Sequence, residues 1–457
     1  MPLIIPANTL SGGYEVANSC RFNDGDSAYL EKNFSSTQDS RRKFTVSAWV
    51  KRSDLITSTN IWGSSEGSGE GYNSLKFENH KLQYLSGNTT NSGTQVNLET
   101  NRLFRDVSAW YHIVLAVDTS QGTDTNRIKL YVNGTQETSF NTSTYPSQDT
   151  DLLTSTTPQM TIGMRDLRGT NAQFFDGYIS EFCFIDNQQL TPSSFGEFDE
   201  DSPTIWKPID VSGLTFGNNG FYLDFEDSSN LGNDANGGTD FTEVNLTATD
   251  QATDTPTNNF ATFNPLIDFY PTYSSTLSNG NLSTTRNDNG GSLATIMPSQ
   301  GKWYMEAKCG TVATYNRLGV VPYDKITDNE FNPDNKGVSY QSDGDKVVDS
   351  TASTYGSTYT TGDIIGIALN LDDGEITFYK NGVAQNSGTA ITGFTYDGAN
   401  SLTVGGSGST WSWDCNFGSP PYAISSGNAD ANGYGNFEYS VPSGYYSLCT
   451  KNLAEFG

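Results

Sequence analysis

One short string occurs twice and limits what this chain can fold into. Ile128-Lys-Leu-Tyr-Val-Asn133-Gly134 returns 248 positions later as Ile376-Thr-Phe-Tyr-Lys-Asn381-Gly382. Each copy follows an apolar run, His112-Ile-Val-Leu-Ala-Val117 in one case and Ile364-Ile-Gly-Ile-Ala-Leu369 in the other. Alternating apolar residues that end in Asn-Gly signal a β-hairpin with a type I′ turn, because Asn and Gly tolerate the positive φ that this turn demands. Two equivalent hairpins so far apart predict two β-sandwich domains in tandem along the chain.

Composition agrees. The 457 residues suffice for two or three cores. No window of helical length carries apolar residues at i, i+3, i+4 and i+7, whereas short alternating runs punctuated by Gly, Asn and Asp are frequent. The expected fold class is therefore all-β: two tandem antiparallel β-sandwiches (jelly rolls) joined by an irregular connector. In Phe44–Val50, Phe44, Val46, Ala48 and Val50 fall on one face and Thr45, Ser47 and Trp49 on the other. That is the half-buried alternation of a sandwich strand.

The net charge of −27 argues against nucleic acid, whose binding needs Lys and Arg to neutralise phosphates, and against an anionic membrane surface. It fits a surface kept monodisperse by repulsion, or carboxylates that hold Ca²⁺. Met1-Pro-Leu-Ile-Ile-Pro-Ala-Asn8 lacks a basic region and is broken by Pro2 and Pro6, so it is not expected to be a signal peptide. No stretch has the ~18 apolar residues of a membrane-spanning helix. The five cysteines, Cys20, Cys183, Cys309, Cys415 and Cys449, are odd in number and never form C-x-x-C. This gives neither a zinc site nor a disulfide framework and fits a chain folded in a reducing cytoplasm.

The ordered elements "FTVSAWVK", "WYHIVLAVD", "IKLYVNG", "IGM", "FDGYISEFCFID" and "QQLTPSSFGEF" resemble a laminin-G-like, concanavalin-A-like jelly roll over residues 14–200. Gly301-Lys-Trp-Tyr-Met-Glu306, Leu318-Gly-Val-Val321, Gly362–Ile367, Asp372–Gly382 and Asn416-Phe-Gly418 resemble a SPRY domain over residues 267–449. The SPRY resemblance implies binding loops for protein or glycan at one rim and no enzymatic activity. Residues 1–13 are expected to be an arm or anchor, 201–266 a connector packed along a sandwich, and 450–457 a tail. The opening segment and the connector also resemble pieces of structural proteins of marine bacteriophages.

Glu197-Phe-Asp-Glu-Asp201 is close to the Glu-x-Asp-x-Glu of concanavalin-like glucanases, where strand alternation aligns three carboxylates. Its third carboxylate is shorter and it follows the closing segment, so it is assigned to an acidic boundary loop. His80 and His112 are the only histidines, and no Gly-x-Ser-x-Gly elbow accompanies them. Asn428-Ala-Asp430-Ala-Asn432-Gly433 has the rhythm of a calcium loop without its closing Glu, and Asp234-Ala-Asn-Gly237 has half of it. Either sequence serves equally as a turn. Trp411 and Trp413 share one strand face, either to stack on a sugar ring or to fill the core. Cys20 with Cys183, and Cys309 with Cys415, are expected on neighbouring strands.

The resulting expectation is a non-catalytic virion protein, assembled in the host cytoplasm and displayed on the particle exterior, on capsid or tail. Its partners would be other virion proteins and a host-surface glycan or protein, with no nucleic acid and no membrane insertion, in a homotrimer or other multivalent array. Rival expectations are a glycan depolymerase on the first sandwich and a ligand-free cement module.

Overall fold

The computed structural model describes residues 13–65, 71–88, 93–153, 157–166, 171–268, 275–323, 337–348, 351–394 and 398–457. The chain divides into two compact units, one of which is Leu10–Thr257 and the other of which includes Asn258–Gly457. Both are antiparallel β-sandwiches, so the chain is all-β, as expected. Residues 1–12 lie outside the described residues.

In the first unit one sheet runs, in spatial order, Thr135–Gln136, Ile128–Val132, Trp110–Asp118, Lys43–Arg52, Gly177–Asp186, Ser19–Phe22 and Gln251–Ala252. Phe221–Leu223 pairs with Gly177–Asp186 off this path. The opposing sheet runs Phe140–Thr144, Gly93–Thr100, Lys81–Asn88, Gly71–Glu78, Ser58–Ser65, Gln159–Ile162, Tyr29–Asn33 and Thr242–Val244. The core between them holds Phe44, Val46, Ala48 and Val50 from the first sheet against Trp62, Phe77, Tyr84 and Leu98 from the second.

The expected alternation is present, but the expected half-burial is not. Lys43–Arg52 is buried on both faces. Trp49 joins Trp110, Tyr178, Ala252 and Trp206 in a cluster separate from the main core. Another such cluster joins Val114, Ala116 and Cys183 to Phe195, Val211, Phe216 and Tyr222. The segment after residue 200 therefore covers the outer face of this sheet and adds strands to both sheets. It belongs to the first sandwich through Thr257, which corrects the boundary at residue 200 and the idea of a connector reaching 266.

Burial of polar groups holds this cover in place. The Lys51 ammonium and the Asp254 carboxylate meet at 2.6 Å with side chains only 1% and 0% exposed. Trp110 Nε1–H donates to the other Asp254 oxygen at 3.0 Å. Arg21, also buried, donates to the Thr249 carbonyl and pairs with Asp250.

In the second unit one sheet runs Phe263–Asp268, Gly290–Ala294, Asn400–Ser407, Tyr315–Pro322, Val338–Gln341, Asp345–Val348 and Thr351–Thr354. The other runs Thr276–Ser278, Ser283–Arg286, Trp411–Asn416, Lys302–Cys309, Ile364–Asn370, Glu375–Lys380 and Val383–Ala384, with Tyr446–Ser447 parallel to Lys302–Cys309. Thr450–Phe456, expected to be a tail, is a helix whose Leu453 enters the core and whose Phe456 stacks on Tyr446 at 3.9 Å.

The doubled Asn-Gly string does the same work in both units. Asn133 and Gly134 have φ of 48° and 75°, and Asn381 and Gly382 have 48° and 77°. Each turn joins the motif strand to the short strand after it, Val132 facing Thr135 and Lys380 facing Val383. The strand before each motif pairs with it as well, Trp110–Asp118 with Ile128–Val132 and Ile364–Asn370 with Glu375–Lys380. In each turn the Asn amide oxygen accepts a backbone N–H from the first residues of that preceding strand, His112 N at 2.8 Å and Ile364 N at 2.9 Å. Each turn glycine also lies under an aromatic ring, Trp206 over Gly134 and Tyr439 over Gly382, where a Cβ would strike the ring.

Candidate functional site

The residues singled out from sequence are structural. Trp411 and Trp413 share a strand face, but that face is the core: both are 0% exposed. Gly406 leaves room for the Trp411 ring, and the two indole N–H groups donate to the carbonyls of Asp288 and Gly405 at 2.7 and 3.0 Å. Neither ring has a free face for a sugar, which corrects their assignment as ligand contacts.

The proposed calcium loop is also a fold element. Asp430 Oδ1 accepts the N–H groups of Asn432 and Tyr434, each at 3.0 Å. Its Oδ2 accepts from Ser447 N, Ser447 Oγ and Asn452 Nδ2 at 2.9, 2.8 and 2.7 Å. Asn428 bonds across to the backbone of Phe437 and Glu438, and Asn432 donates to Asn452 and Glu455. Five N–H and O–H donors occupy the lone pairs that a hard cation would need, so Asn428, Asp430 and Asn432 do not fit a Ca²⁺ site. Among the described residues no group of three or more His, Cys, Asp or Glu side chains is arranged to hold a metal ion.

Glu197 and Asp199 sit on and beside a small hairpin, Gly196–Phe198 with Trp206–Pro208, and Lys207 pairs with both at 3.4 and 3.2 Å. His112 is fully buried. Trp206 Nε1–H donates to its Nδ1 at 2.9 Å, which leaves the imidazole proton on Nε2, 2.8 Å from Ser47 Oγ. Burial pushes its pKa down to about 3. A histidine that already donates to the serine cannot take the serine's proton, so this Ser–His pair is a hydrogen-bonded strut. All five cysteines are buried and free. Cys20 faces Ile179 while Cys183 faces Tyr222 and Ser47, and Cys309 faces Trp413 while Cys415 faces Ala307. The strands neighbour one another as expected, but the thiols are out of register.

One site was not foreseen. On the outer face of the first unit lies an open cleft of about 380 Å³ walled by Tyr14, Phe216 and Tyr222, with Asp210, Asp224, Glu226 and Asn236 among its other lining residues. Behind its wall stands Glu181. The strand Gly177–Asp186 slips register against Lys43–Arg52 between Ser180 and Cys183, so one extra residue bulges out. Glu181, in that bulge, has a left-handed φ of 50°, an uncommon conformation for a residue other than Gly, Asn or Asp. Such bulges re-aim side chains and concentrate beside functional sites. The Glu181 carboxyl is 5% exposed, and Tyr222 and Tyr14 both donate to its Oε2, at 2.7 and 3.3 Å.

Burial pushes the Glu181 carboxyl up to about 7; the two tyrosine hydrogen bonds pull it back, and the Asp224 and Glu226 charges raise it. Burial and the Glu181 charge hold both tyrosines protonated far above neutrality. Phe216 and Tyr222 are buried and the two tyrosine hydroxyls lie 3.3 Å apart, so beside Tyr14 the cleft offers chiefly the acid and amide side chains of Asp210, Asp224, Glu226 and Asn236, groups that accept hydrogen bonds from hydroxyls. Sequence did carry a trace of it. Glu181 is the lone acid in Tyr178–Ile185, and the alternation of that run breaks there.

Two antiparallel sandwiches, each with its own core, define an all-β chain of two domains. Residues 24–194 match the laminin G family model described as the concanavalin A-like lectin/glucanases superfamily, and residues 302–404 match the SPRY domain model. The chain carries an N-terminal laminin G/concanavalin A-like domain and a C-terminal SPRY domain. No curated protein matches it. Among solved structures it is similar to a putative carbohydrate binding protein from Bacteroides ovatus, with 18% identity, 52% of this chain and 63% of that one covered, and a TM-score of 0.35. It is similar also to the heptameric SAP-like pentraxin from Limulus polyphemus (15% identity, 39% and 80% covered, TM-score 0.30). The SPRY domain of human HERC1 matches at 18% identity over 34% of this chain and 96% of that one, with a TM-score of 0.29. With TM-scores this low, none of the three bears on what the chain does.

Proposed function

We propose that this chain is a non-catalytic recognition protein whose first sandwich binds carbohydrate in the Tyr14–Tyr222 cleft, and that it serves on a virion exterior to attach to a host surface. The observation that carries the reading is the cleft itself, open at its mouth and lined by Tyr14 together with the polar side chains of Asp210, Asp224, Glu226 and Asn236. The groups that would serve hydrolysis support it from the other side: His112 is buried and neutral, and Glu197 and Asp199 are tied to Lys207. The SPRY domain supplies contacts to protein, either a neighbouring virion protein or a host receptor. Virion placement rests on the resemblance of the opening segment and of residues 201–266 to phage structural proteins, and five free buried thiols suit folding in a reducing cytoplasm. Weak single-site affinity would be multiplied by many copies or by a trimer.

The test is a glycan-array screen of the purified chain beside its Tyr14→Ala variant, followed by binding to intact host cells. Selective glycan binding that Tyr14→Ala abolishes supports the reading. Release of reducing ends from host polysaccharide would replace it with a depolymerase.

A further inference from the structure

The second sandwich carries a cover of its own on one outer sheet face. Phe437, Val441 and Tyr445 pack on Tyr304, Ala368 and Tyr379, one residue from each of three neighbouring strands. Asn436 fixes one end of this segment, its carbonyl accepting the Asn416 Nδ2–H at 2.8 Å, and Tyr446 fixes the other by pairing with Trp303. Between them, among the described residues, the hydrogen bonds of residues 437–445 to the sheet all go to one side chain. Glu306 accepts the N–H of Glu438 at 2.9 Å and that of Tyr439 at 2.8 Å.

We propose that residues 437–445 are a strap, that Glu306 latches it while protonated, and that ionisation of Glu306 frees it and bares the aromatic face beneath. The latch stands on geometry. Glu306 is 0% exposed, and its third donor is the Tyr304 hydroxyl at 3.1 Å, so all three donors are neutral. The lysines of this sheet are engaged elsewhere: Lys302 pairs with Asp373, Lys380 pairs with Asp363, and Lys308 lies over the Tyr422 ring. The groups that face Glu306 are phenols or acids. Tyr304 stands on its own strand and Glu438, Tyr439 and Tyr422 on the covering segments, with Tyr379 beside Tyr304. The Asp363, Asp373, Glu375 and Asp414 charges and the Cys415 thiol act on these phenols and on Tyr445.

A carboxylate buried without a cation is costly, so the closed strap favours the acid form. Burial pushes the Glu306 carboxyl up to about 7; the N–H groups of Tyr439 and Glu438 and the Tyr304 hydroxyl pull it back, and the Glu438 charge raises it. Lifting the strap returns the group to water and to its ordinary value of 4.5. The strap is therefore fully held below 4.5, and the hold is lost as pH climbs to and through 7. From about pH 5.5 to about pH 8.5 this linkage raises the opening equilibrium about 30-fold. The sheet survives the opening, because Trp303, Met305, Ile365, Ile367 and Phe378 on its other face stay in the core.

The experiment is hydrogen exchange of the full chain from about pH 5.5 to about pH 8.5, read by mass spectrometry and expressed as protection factors so that the intrinsic pH dependence of exchange cancels. Peptides covering residues 437–445 should lose protection about 30-fold over that range and level off above about 7. They should be less protected than peptides of Lys302–Cys309 throughout, because the strap opens while the sheet stays folded. In Glu306→Gln, which keeps an acceptor and carries no charge, strap protection should stay level with pH. Strap protection that ignores pH in the wild type, strap and sheet peptides exchanging in step, or an unaltered profile in Glu306→Gln overturns the inference. If the variant does not fold, the first two results decide the matter on the wild-type chain.

Discussion

Removal of the Asp254 carboxylate should unfold the outer layer that builds the cleft. Lys51 and Asp254 face each other at 2.6 Å with 1% and 0% of their side chains exposed, and Trp110 Nε1–H rests on the same carboxylate. Asp254→Ala leaves a buried ammonium without its carboxylate, a change that costs about 3–5 kcal/mol. The indole N–H loses its acceptor as well, a further cost of about 1–3 kcal/mol where nothing replaces it. In a unit of about 250 residues, each kcal/mol moves the midpoint by about 2–4 °C, so a combined loss of about 4–8 kcal/mol should lower the first-unit transition by about 8–30 °C. The control is the double variant Lys51→Met, Asp254→Leu. Well-packed apolar pairs often replace a buried ion pair at little cost, so it should recover most of the loss. Scanning calorimetry separates the units, and the transition of the SPRY unit should stay in place. A first-unit shift under about 1 kcal/mol for Asp254→Ala would refute the anchoring role. Failure of the double variant to recover would show that packing, not the unpaired charge, accounts for the loss.

Other consequences follow from the same geometry. The Glu181 carboxyl has its pKa raised from 4.5 to about 7, so folding favours its protonated form, and its contribution is greatest at low pH and declines as pH climbs through that window. Glu181→Gln should therefore gain up to roughly 3 kcal/mol over wild type above neutrality, read from urea melts across pH. His112 acts in the opposite sense: with its pKa lowered from 6.5 to about 3, its contribution is complete above 6.5 and is lost as pH falls toward 3. Between 4.5 and 6.5 the two slopes oppose each other, so Glu181→Gln should steepen the acid side of the first-unit stability profile. Nitrogen chemical shifts should find the His112 proton on Nε2 and no titration near neutrality. Gly134→Ala and Gly382→Ala should each destabilise only their own unit, by about 1–3 kcal/mol, because each needs a positive φ under an aromatic ring.

The framework was legible because it obeys periodicity. Phe44, Val46, Ala48 and Val50 face the core as their spacing requires, and Asn133-Gly134 and Asn381-Gly382 form the turns their chemistry demands. Pattern could not tell which apolar face meets solvent. Trp411 and Trp413 lie on one face whether that face is rim or core, and only Gly406 and the carbonyls of Asp288 and Gly405 decide it. Asp430 has the spacing of a cation ligand, yet its donors come from Ser447 and Asn452, well beyond its own loop. The segment after residue 200 looked like a linker because its strands are short and its anchors single residues. Phe221–Leu223 is three residues long, and Asp254 matters through a lysine more than two hundred positions away. The cleft escaped notice for the same reason: Tyr14, Glu181 and Tyr222 come together only after the chain has folded across its own sheet.

The most direct test of the account is a crystal structure of the full chain grown with the tightest oligosaccharide from the array. A saccharide seated in the cleft beside Tyr14, within hydrogen-bond reach of Asp224 or Glu226, is the predicted result. A saccharide bound on another surface, with the cleft left to solvent, would contradict it.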